Sequence, residues 1–317
     1  MPDVTLCECF ARDGLQHEDR FVPTDDKVAV LHAFAEAGFP RLEVTSYSHP
    51  KHVPAFADGA ELLRRLRLPE GVSTKATCPN LRAVERGLAD RGDGVGVSEF
   101  SLLVSATESH TARNLRTDRA TQWRNVRDMA EAASADPGVR LVGVISVAFG
   151  CPFEGEVDEG RVIDDAARFV ALGARHLTIG DTTGMASPSR VRRVFRRIFD
   201  EVPGAVPVAH FHDSRGTGLA NCMAALDAGC TWFDSAMGGV GGHPAQITYG
   251  GGYTGNVVTE DLVNLLEEEG IDTGIDPDRL AAASALCERV LGRELRSMVA
   301  RSGFGLRHGP ARAAVAV

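Results

Sequence analysis

Eight short apolar runs alternate with helix-like segments along most of this 317-residue chain. The runs have the length of buried strands, and the segments between them carry apolar residues three and four apart. The clearest helical patterns are Asp25–Ala37 and Ser189–Phe199. The candidate strands are Val4–Cys9, Arg41–Thr45, Ser73–Ala76, Gly94–Val97, Arg140–Val147, His176–Gly180, Pro207–His212 and Trp232–Ser235. Eight such units over about 250 residues predict a (β/α)8 TIM barrel.

A doubly wound open sheet is the structural alternative. It ranks lower because no Gly-x-Gly-x-x-Gly follows the first strand and because the strand count is eight. We expect the barrel to occupy residues 1–269, and residues 270–317 to form a helical extension and tail packed on it. One further helix is predicted over Asp276–Gly292. Thr24, Ser187 and Thr259 precede helical runs and are predicted N-caps.

Charge and cysteine content narrow the class of protein. A formal net charge of −9 argues against nucleic acid or an anionic membrane surface as the main partner. No run approaches the roughly 20 apolar residues that a membrane span requires. The seven cysteines are scattered without disulfide or metal-ligand spacing, which predicts a reducing, cytoplasmic setting.

One predicted strand ends in the stretch His210-Phe211-His212-Asp213. Residues i and i+2 of a strand lie on the same face, so the two imidazoles are placed to bind one metal ion. The alternative is a strand that ends in two partly buried histidines. In a barrel, residues that follow different strands collect on one face. Asp13, after the first strand, therefore completes a set of ligands, although alone it reads as a turn former.

Two imidazoles and a carboxylate fit Mg2+, Mn2+, Zn2+ or Fe2+, and the open positions indicate a catalytic ion. Such an ion can chelate the hydroxyl and carboxylate oxygens of a substrate. Arg12 can hold a developing enolate or a carboxylate through forked hydrogen bonds, or can form a surface ion pair. Glu43 and Asp181 either orient Arg12 or metal-bound water, or simply satisfy buried donors.

A glycine-rich loop, Gly238–Asn256, follows the last strand. Loops of this length are usually lids or disordered segments. His243 is the only titratable side chain between Gly238 and Tyr249. An imidazole can donate or accept a proton near neutral pH, so His243 is either a mobile acid/base or an exposed bystander.

Several blocks of sequence, in order between Val4 and Leu266, match one known pattern. They are Ala11–Glu18, Glu43–Ser46 with Pro50-Lys51, Ser105–Ser109, Gly150–Gly155, Gly180–Gly184, His210–Asp213, and Gly255-Asn256 with Thr259–Asp261. Together they resemble the 3-hydroxy-3-methylglutaryl-CoA lyase family. The resemblance implies a TIM barrel with a divalent metal, usually Mg2+ or Mn2+. It also implies Asp13, His210, His212 and Asn256 as ligands, Arg12 as the enolate-stabilising group, and Glu43 and Asp181 in support.

The implied reaction is the retro-Claisen (aldol-type) cleavage of a tertiary 3-hydroxyacyl-CoA through an acyl-CoA enolate. The family's loop reads Gly-Gly-Cys-Pro with a catalytic cysteine, whereas this chain has Gly241-Gly242-His243-Pro244 and a longer stretch before Asn256. This departure predicts a divergent paralogue with a different acyl substrate or a retuned reaction. The substrates that the resemblance implies are 3-hydroxy-3-methylglutaryl-CoA or a related thioester such as citramalyl-CoA.

Two other functions stay open at this point. One is a Claisen-type condensing acyltransferase that joins an acyl-CoA to a keto acid; such synthases often carry a long C-terminal regulatory domain, for which about 50 residues after Leu266 leave no room. The other is a ligand-binding pseudoenzyme, which the retained Arg12, Asp13, His210 and His212 argue against. The expected partner is a small acyl-CoA, and pairing of barrel helices into a homodimer remains open.

Overall fold

The computed structural model describes residues 2–242 and 255–305. Eight strands form one closed sheet, in which each strand pairs in parallel with the next and the last pairs with the first. The strands are β1 (Thr5–Glu8), β2 (Arg41–Ser46), β3 (Ser73–Cys78), β4 (Glu99–Ser105), β5 (Arg140–Ser146), β6 (His176–Asp181), β7 (Val206–Phe211) and β8 (Trp232–Ser235). The predicted (β/α)8 TIM barrel is therefore confirmed.

Helices cover the outside of the barrel. They are α1 (Thr24–Ala37), α2 (Gly59–Arg65), α3 (Leu81–Gly92), α4 (Glu108–Leu115), α5 (Arg119–Ala133), α6 (Glu159–Ala171), α7 (Pro188–Glu201), α8 (Gly218–Asp227), α9 (Thr259–Glu268), α10 (Pro277–Leu291) and α11 (Val299–Ser302). Their buried faces carry the predicted spacing: in α7 the buried residues are Val191, Val194, Phe195 and Ile198. The apolar stripe packs on the sheet while the arginines between those positions face outward. No helix in residues 2–242 or 255–305 is long and apolar enough to cross a membrane.

The fourth strand differs from its prediction. The prediction of a strand over Gly94–Val97 is wrong, because this segment forms the turn that ends α3. The Val95 amide donates to the Asp90 carbonyl, and Gly94 has a φ of +77°. The strand begins five residues later than predicted, at Glu99. The predicted strand would have placed Glu99 at its carboxyl end, and the observed one places it at the opposite end of the barrel.

Two of the three predicted N-caps are also shifted. Ser187 is the N-cap of α7, although its side chain makes no capping hydrogen bond. Thr24 is instead the first helical residue of α1, after Pro23. Thr259 is likewise the first residue of α9, and its hydroxyl donates to the carboxylate of Glu8 at 2.6 Å. A tertiary contact has taken the hydroxyl that the local pattern assigned to a cap.

The C-terminal helices lie against the barrel. The predicted helix over Asp276–Gly292 is confirmed as α10, and the Asp276 side chain caps it by accepting from the Arg279 amide at 3.0 Å. α10 packs on α1, and the Asp276 amide donates to the carbonyl of Ala37 at 2.9 Å. Leu280 and Cys287 of α10 are fully buried. The division of the chain at residue 269 stays a prediction.

Candidate functional site

Three potential metal ligands meet at the carboxyl ends of β1 and β7. Asp13 lies in a short π-helical turn, Phe10–Gly14, whose amides at positions 12, 13 and 14 all donate to the carbonyl of Cys9. His210 lies in β7, and His212 follows directly after it. The two Nε2 atoms are 3.2 Å apart, and that of His212 is 3.7 Å from Asp13 Oδ2. All three side chains are buried, so the structure brings the predicted triad together.

The donor atoms fit a divalent ion. Two atoms that bind one ion at right angles, each at about 2.1 Å, are roughly 3 Å apart, which is close to the spacing of the two imidazoles. Asn256, the fourth implied ligand, donates from Nδ2 to Asp13 Oδ2 at 2.7 Å and to the Val240 carbonyl at 3.0 Å. Its Oδ1 is buried and has no hydrogen-bond partner among the described residues. An amide oxygen left in this way is a suitable ligand for a hard cation.

Arg12 is held beside the triad by two carboxylates. Its Nε donates to Glu43 Oε1 at 2.7 Å, and its Nη1 donates to Asp13 Oδ1 at 2.6 Å. The Thr77 hydroxyl also donates to Glu43 Oε1, at 3.0 Å. Burial opposes the ionisation of Glu43, but the nearby charges of Arg12 and then Lys75 lower the pKa of its carboxyl. A charged Arg12 is thus fixed next to the candidate metal ligands, with Glu43 orienting it.

Asp181 also lies at the carboxyl end of a barrel strand, but its carboxylate contacts backbone amides rather than charged side chains. It is the last residue of β6 and pairs in register with Phe211, between the two histidines. Its carboxylate accepts the backbone amides of Met185 at 2.7 Å and Ala186 at 3.1 Å. Burial raises the pKa of Asp181 to about 7. Of the two roles considered for this residue, the satisfaction of buried donors is the one that these contacts support.

His243 lies outside the described residues, but the chain just before it does not. Gly241 has a φ of +125°, and a Cβ atom placed on it would lie 2.4 Å from Asn256 Nδ2 and 3.3 Å from Asp13 Oδ2. Only a glycine lets the backbone pass this close to the site. The chain therefore passes directly beside the candidate ligands two residues before His243.

Sequence reasoning missed a group of charges inside the barrel. Lys75 Nζ lies 3.0 Å from Asp234 Oδ2 and 3.5 Å from Glu43 Oε2. Asp234 also contacts His210 Nδ1 at 3.3 Å and Arg41 Nη1 at 3.2 Å. Burial opposes the ionisation of Asp234, yet Lys75, followed by His210 and Arg41, lowers its pKa well below the usual range. The sequence did contain a signal for this group: Lys75 and Asp234 each lie inside a predicted buried strand. A charged residue is rarely buried unless it is paired, so partners across the barrel could have been expected.

Glu8, at the end of β1, is the other missed residue. Its carboxyl accepts the amides of Phe10 and Met237, both at 2.9 Å, and the Thr259 hydroxyl. Burial raises the pKa of Glu8 to about 8. The side chain thus ties together the turn that carries Asp13, the turn after β8 and the start of α9.

Comparison with known proteins gives one consistent relationship. The sequence model of the HMGL-like family matches residues 3–287. The mitochondrial hydroxymethylglutaryl-CoA lyase of Rattus norvegicus is 33% identical over 299 residues, which are 94% of this chain and 89% of that protein. The hydroxymethylglutaryl-CoA lyase YngG of Bacillus subtilis is 34% identical, with 93% and 95% covered.

Solved structures agree with the sequence comparison. The HMG-CoA lyase from Acenitobacter baumannii, in complex with coenzyme A and 3-methylmalate, has a TM-score of 0.88 at 33% identity and 96% coverage of both chains. The hydroxymethylglutaryl-CoA lyase of Pseudomonas aeruginosa also has a TM-score of 0.88, at 35% identity, with 95% of this chain and 98% of that chain covered. The resemblance noted in the sequence is confirmed: this chain belongs to the HMGL-like family and is a carbon–carbon lyase.

Proposed function

We propose that the protein cleaves a tertiary 3-hydroxyacyl-CoA, with 3-hydroxy-3-methylglutaryl-CoA and citramalyl-CoA as the candidate substrates. The observation that carries this proposal is the meeting of Asp13, His210 and His212 beside the guanidinium of Arg12. The names of the relatives support the reaction type. The coenzyme A held by a structural neighbour supports a thioester substrate.

A divalent ion, Mg2+ or Mn2+ with Zn2+ as a further candidate, fits the donors of Asp13, His210, His212 and Asn256. When bound, it would supply Lewis acidity that favours loss of the proton from the substrate hydroxyl. Residues of the chain would stabilise the enolate and transfer the proton. As the hydroxyl proton passes to a base, for which His243 is the candidate, the C3–O group becomes the carbonyl of the departing product. The C2–C3 bond breaks, and its electron pair stays on C2 as the acyl-CoA enolate.

Arg12 is the group that stabilises this enolate. Its two hydrogen bonds to Glu43 and Asp13 hold the guanidinium in place before the reaction, so little reorganisation is needed when negative charge develops. His243 is proposed to return a proton to C2 of the enolate, which releases the acyl-CoA product. The histidine in place of the family's cysteine supports citramalyl-CoA or a similar thioester as the better substrate. The seven free, buried cysteines support a cytoplasmic location.

The test is a turnover assay of the purified protein on a panel of 3-hydroxyacyl-CoA thioesters. We expect cleavage with kcat in the range of about 1–10³ s⁻¹ for at least one of them. Removal of metal with EDTA should abolish turnover, and Mg2+ or Mn2+ should restore it. Turnover that survives chelation would contradict the metal role. Condensation of an acyl-CoA with a keto acid, without cleavage, would support the condensing acyltransferase instead.

A further inference from the structure

A buried carboxylate contacts the Nδ1 atom of the His210 imidazole. Asp234 Oδ2 lies 3.3 Å from His210 Nδ1, on the side of the ring away from the other ligands. A carboxylate only accepts, so Nδ1 of the neutral ring carries the proton and the lone pair lies on Nε2. Nε2 is the atom that lies 3.2 Å from His212 Nε2. The contact therefore selects the tautomer that can bind a metal ion.

Lys75 connects this carboxylate to the one that holds Arg12. Its ammonium lies 3.0 Å from Asp234 Oδ2 and 3.5 Å from Glu43 Oε2, and its side chain is 3% exposed. Glu43 in turn accepts from Arg12 Nε at 2.7 Å. The contacts run from Arg12 through Glu43, Lys75 and Asp234 to His210. The ammonium of Lys75 thus contacts both the carboxylate that holds His210, a candidate metal ligand, and the carboxylate that holds Arg12, the proposed enolate-stabilising group.

Stability alone does not account for this arrangement. Replacing a buried ion pair with well-packed apolar residues is often neutral or stabilising, because the two charges lose their hydration. Arg41 already donates to the other oxygen of Asp234 at 3.2 Å. Thr77 already donates to Glu43 at 3.0 Å. The distinctive contribution of Lys75 is the link between the two carboxylates.

We propose that Asp234 and Lys75 are positioning residues: Asp234 fixes His210 for the metal ion, and Lys75 sets the position of Arg12 relative to that ion. This inference rests on the proposed function for its catalytic half only. Its metal-binding half can be measured in the absence of any substrate.

The first experiment measures Mn2+ binding by calorimetry on metal-free protein. Asp234→Asn can present an amide N–H to His210 and so favour the wrong tautomer, and we expect Mn2+ affinity to fall about 10–100-fold. Glu99→Gln is the matched control, since Glu99 is equally buried and also contacts Arg41, at 2.8 Å, but does not contact His210. It should bind Mn2+ as wild type does. Equal Mn2+ affinity in wild type and Asp234→Asn would overturn the role of Asp234.

The second experiment measures kcat and KM at saturating Mn2+ for Lys75→Met. Arg12 acts on charge that exists only after the bond begins to break, so its misplacement should lower kcat about 10-fold or more and change KM less than about threefold. Lys27→Met is the control, because Lys27 of α1 is as buried as Lys75 and pairs with Asp58 at 2.7 Å. Both variants should lose stability, but only Lys75→Met should lose kcat.

The outcomes separate this inference from the proposed reaction. A loss of kcat that is the same in Lys75→Met and Lys27→Met would overturn the positioning role of Lys75. If no thioester is cleaved by the wild type, the proposed function fails, while weaker Mn2+ binding by Asp234→Asn still supports the role of Asp234. Thermal unfolding of every variant is recorded alongside. If Asp234→Asn does not fold, Asp234→Glu, which displaces the carboxylate from His210 Nδ1, replaces it in the Mn2+ titration, and an Mn2+ affinity equal to that of wild type would overturn the role of Asp234.

Discussion

Two buried aspartates at the mouth of the barrel have opposite pKa shifts. Burial favours the neutral form of both. At Asp13 it is outweighed by Arg12, and then by His212 and His210, so the pKa lies well below its usual range. Asp181 receives mainly backbone amides, and burial raises its pKa to about 7. Two residues of one type, Asp13 as a candidate metal ligand and Asp181 beside the ligands, are thus prepared for different tasks.

The raised pKa of Asp181 predicts how stability depends on pH. Between about pH 4, the unfolded value, and about pH 7, the folded state binds more protons than the unfolded state, so stability falls as pH rises through this window. Asp181→Asn keeps an oxygen that accepts the loop amides and removes the titration. We measure the free energy of unfolding in urea for both metal-free proteins. The value for Asp181→Asn minus that for wild type should rise by about 2–4 kcal/mol from pH 4 to pH 7.5. Parallel pH profiles for the two proteins would contradict this assignment.

The proposed role of His243 can be tested by removing its imidazole. His243→Ala should lower kcat by about 10²–10⁴-fold, which is the usual contribution of a general acid or base, and should leave Mn2+ affinity unchanged. His32→Ala is a suitable control, because His32 lies on α1 in the outer layer. Full turnover by His243→Ala would show that this histidine is a bystander.

At the scale of elements, the contact of α6 with β5 depends on a missing side chain. Gly143 lies in β5, and a Cβ atom placed on it would come within 2.5 Å of the Phe169 ring. Gly143→Ala should therefore destabilise the protein by about 1–3 kcal/mol, measured by urea unfolding. Gly92→Ala, at the end of α3, meets nothing within 4 Å and should change stability by less than about 0.5 kcal/mol. Equal stability of the two variants would mean that α6 moves away freely.

The misplaced fourth strand shows what a local pattern lacks. Gly94–Val97 alternates as a strand does, and the pattern holds no information about the helix that ends just before it. Register decided the outcome: β4 pairs with β3 from Lys75 opposite Glu99 to Cys78 opposite Leu102. The apolar run after Glu99 then faces both the barrel interior and the helices, which the run at Gly94 could not do because it lacks large side chains.

At the scale of the whole molecule, α10 is expected to share the stability of the barrel. Its Leu280 is fully buried in the same apolar core as Phe34 and Leu31 of α1. Leu280→Ala should lower the free energy of unfolding by about 2–5 kcal/mol. The measurement is the urea midpoint of tryptophan fluorescence, since Trp123 and Trp232 both lie in the barrel proper. An unchanged midpoint would show that α10 unfolds separately.

Much of this protein follows from local sequence periodicity. Strand and helix spacing predicted eight β/α units, and the i, i+2 spacing of His210 and His212 placed both rings on one face. The barrel then brought Asp13 to them, because strand ends of a parallel barrel share a rim. The order of motifs along the chain was enough to indicate the family.

Tertiary structure alone decided which side chains hold these groups in place. Lys75 and Asp234 lie 159 positions apart and meet only because the sheet closes with a particular register. Asp181 has the residue type and rim position of a catalytic acid, but the turn after β6 supplies amides to its carboxylate. Periodicity describes which face a residue occupies, whereas a contact across the barrel depends on strand register and closure, which no short stretch of sequence contains.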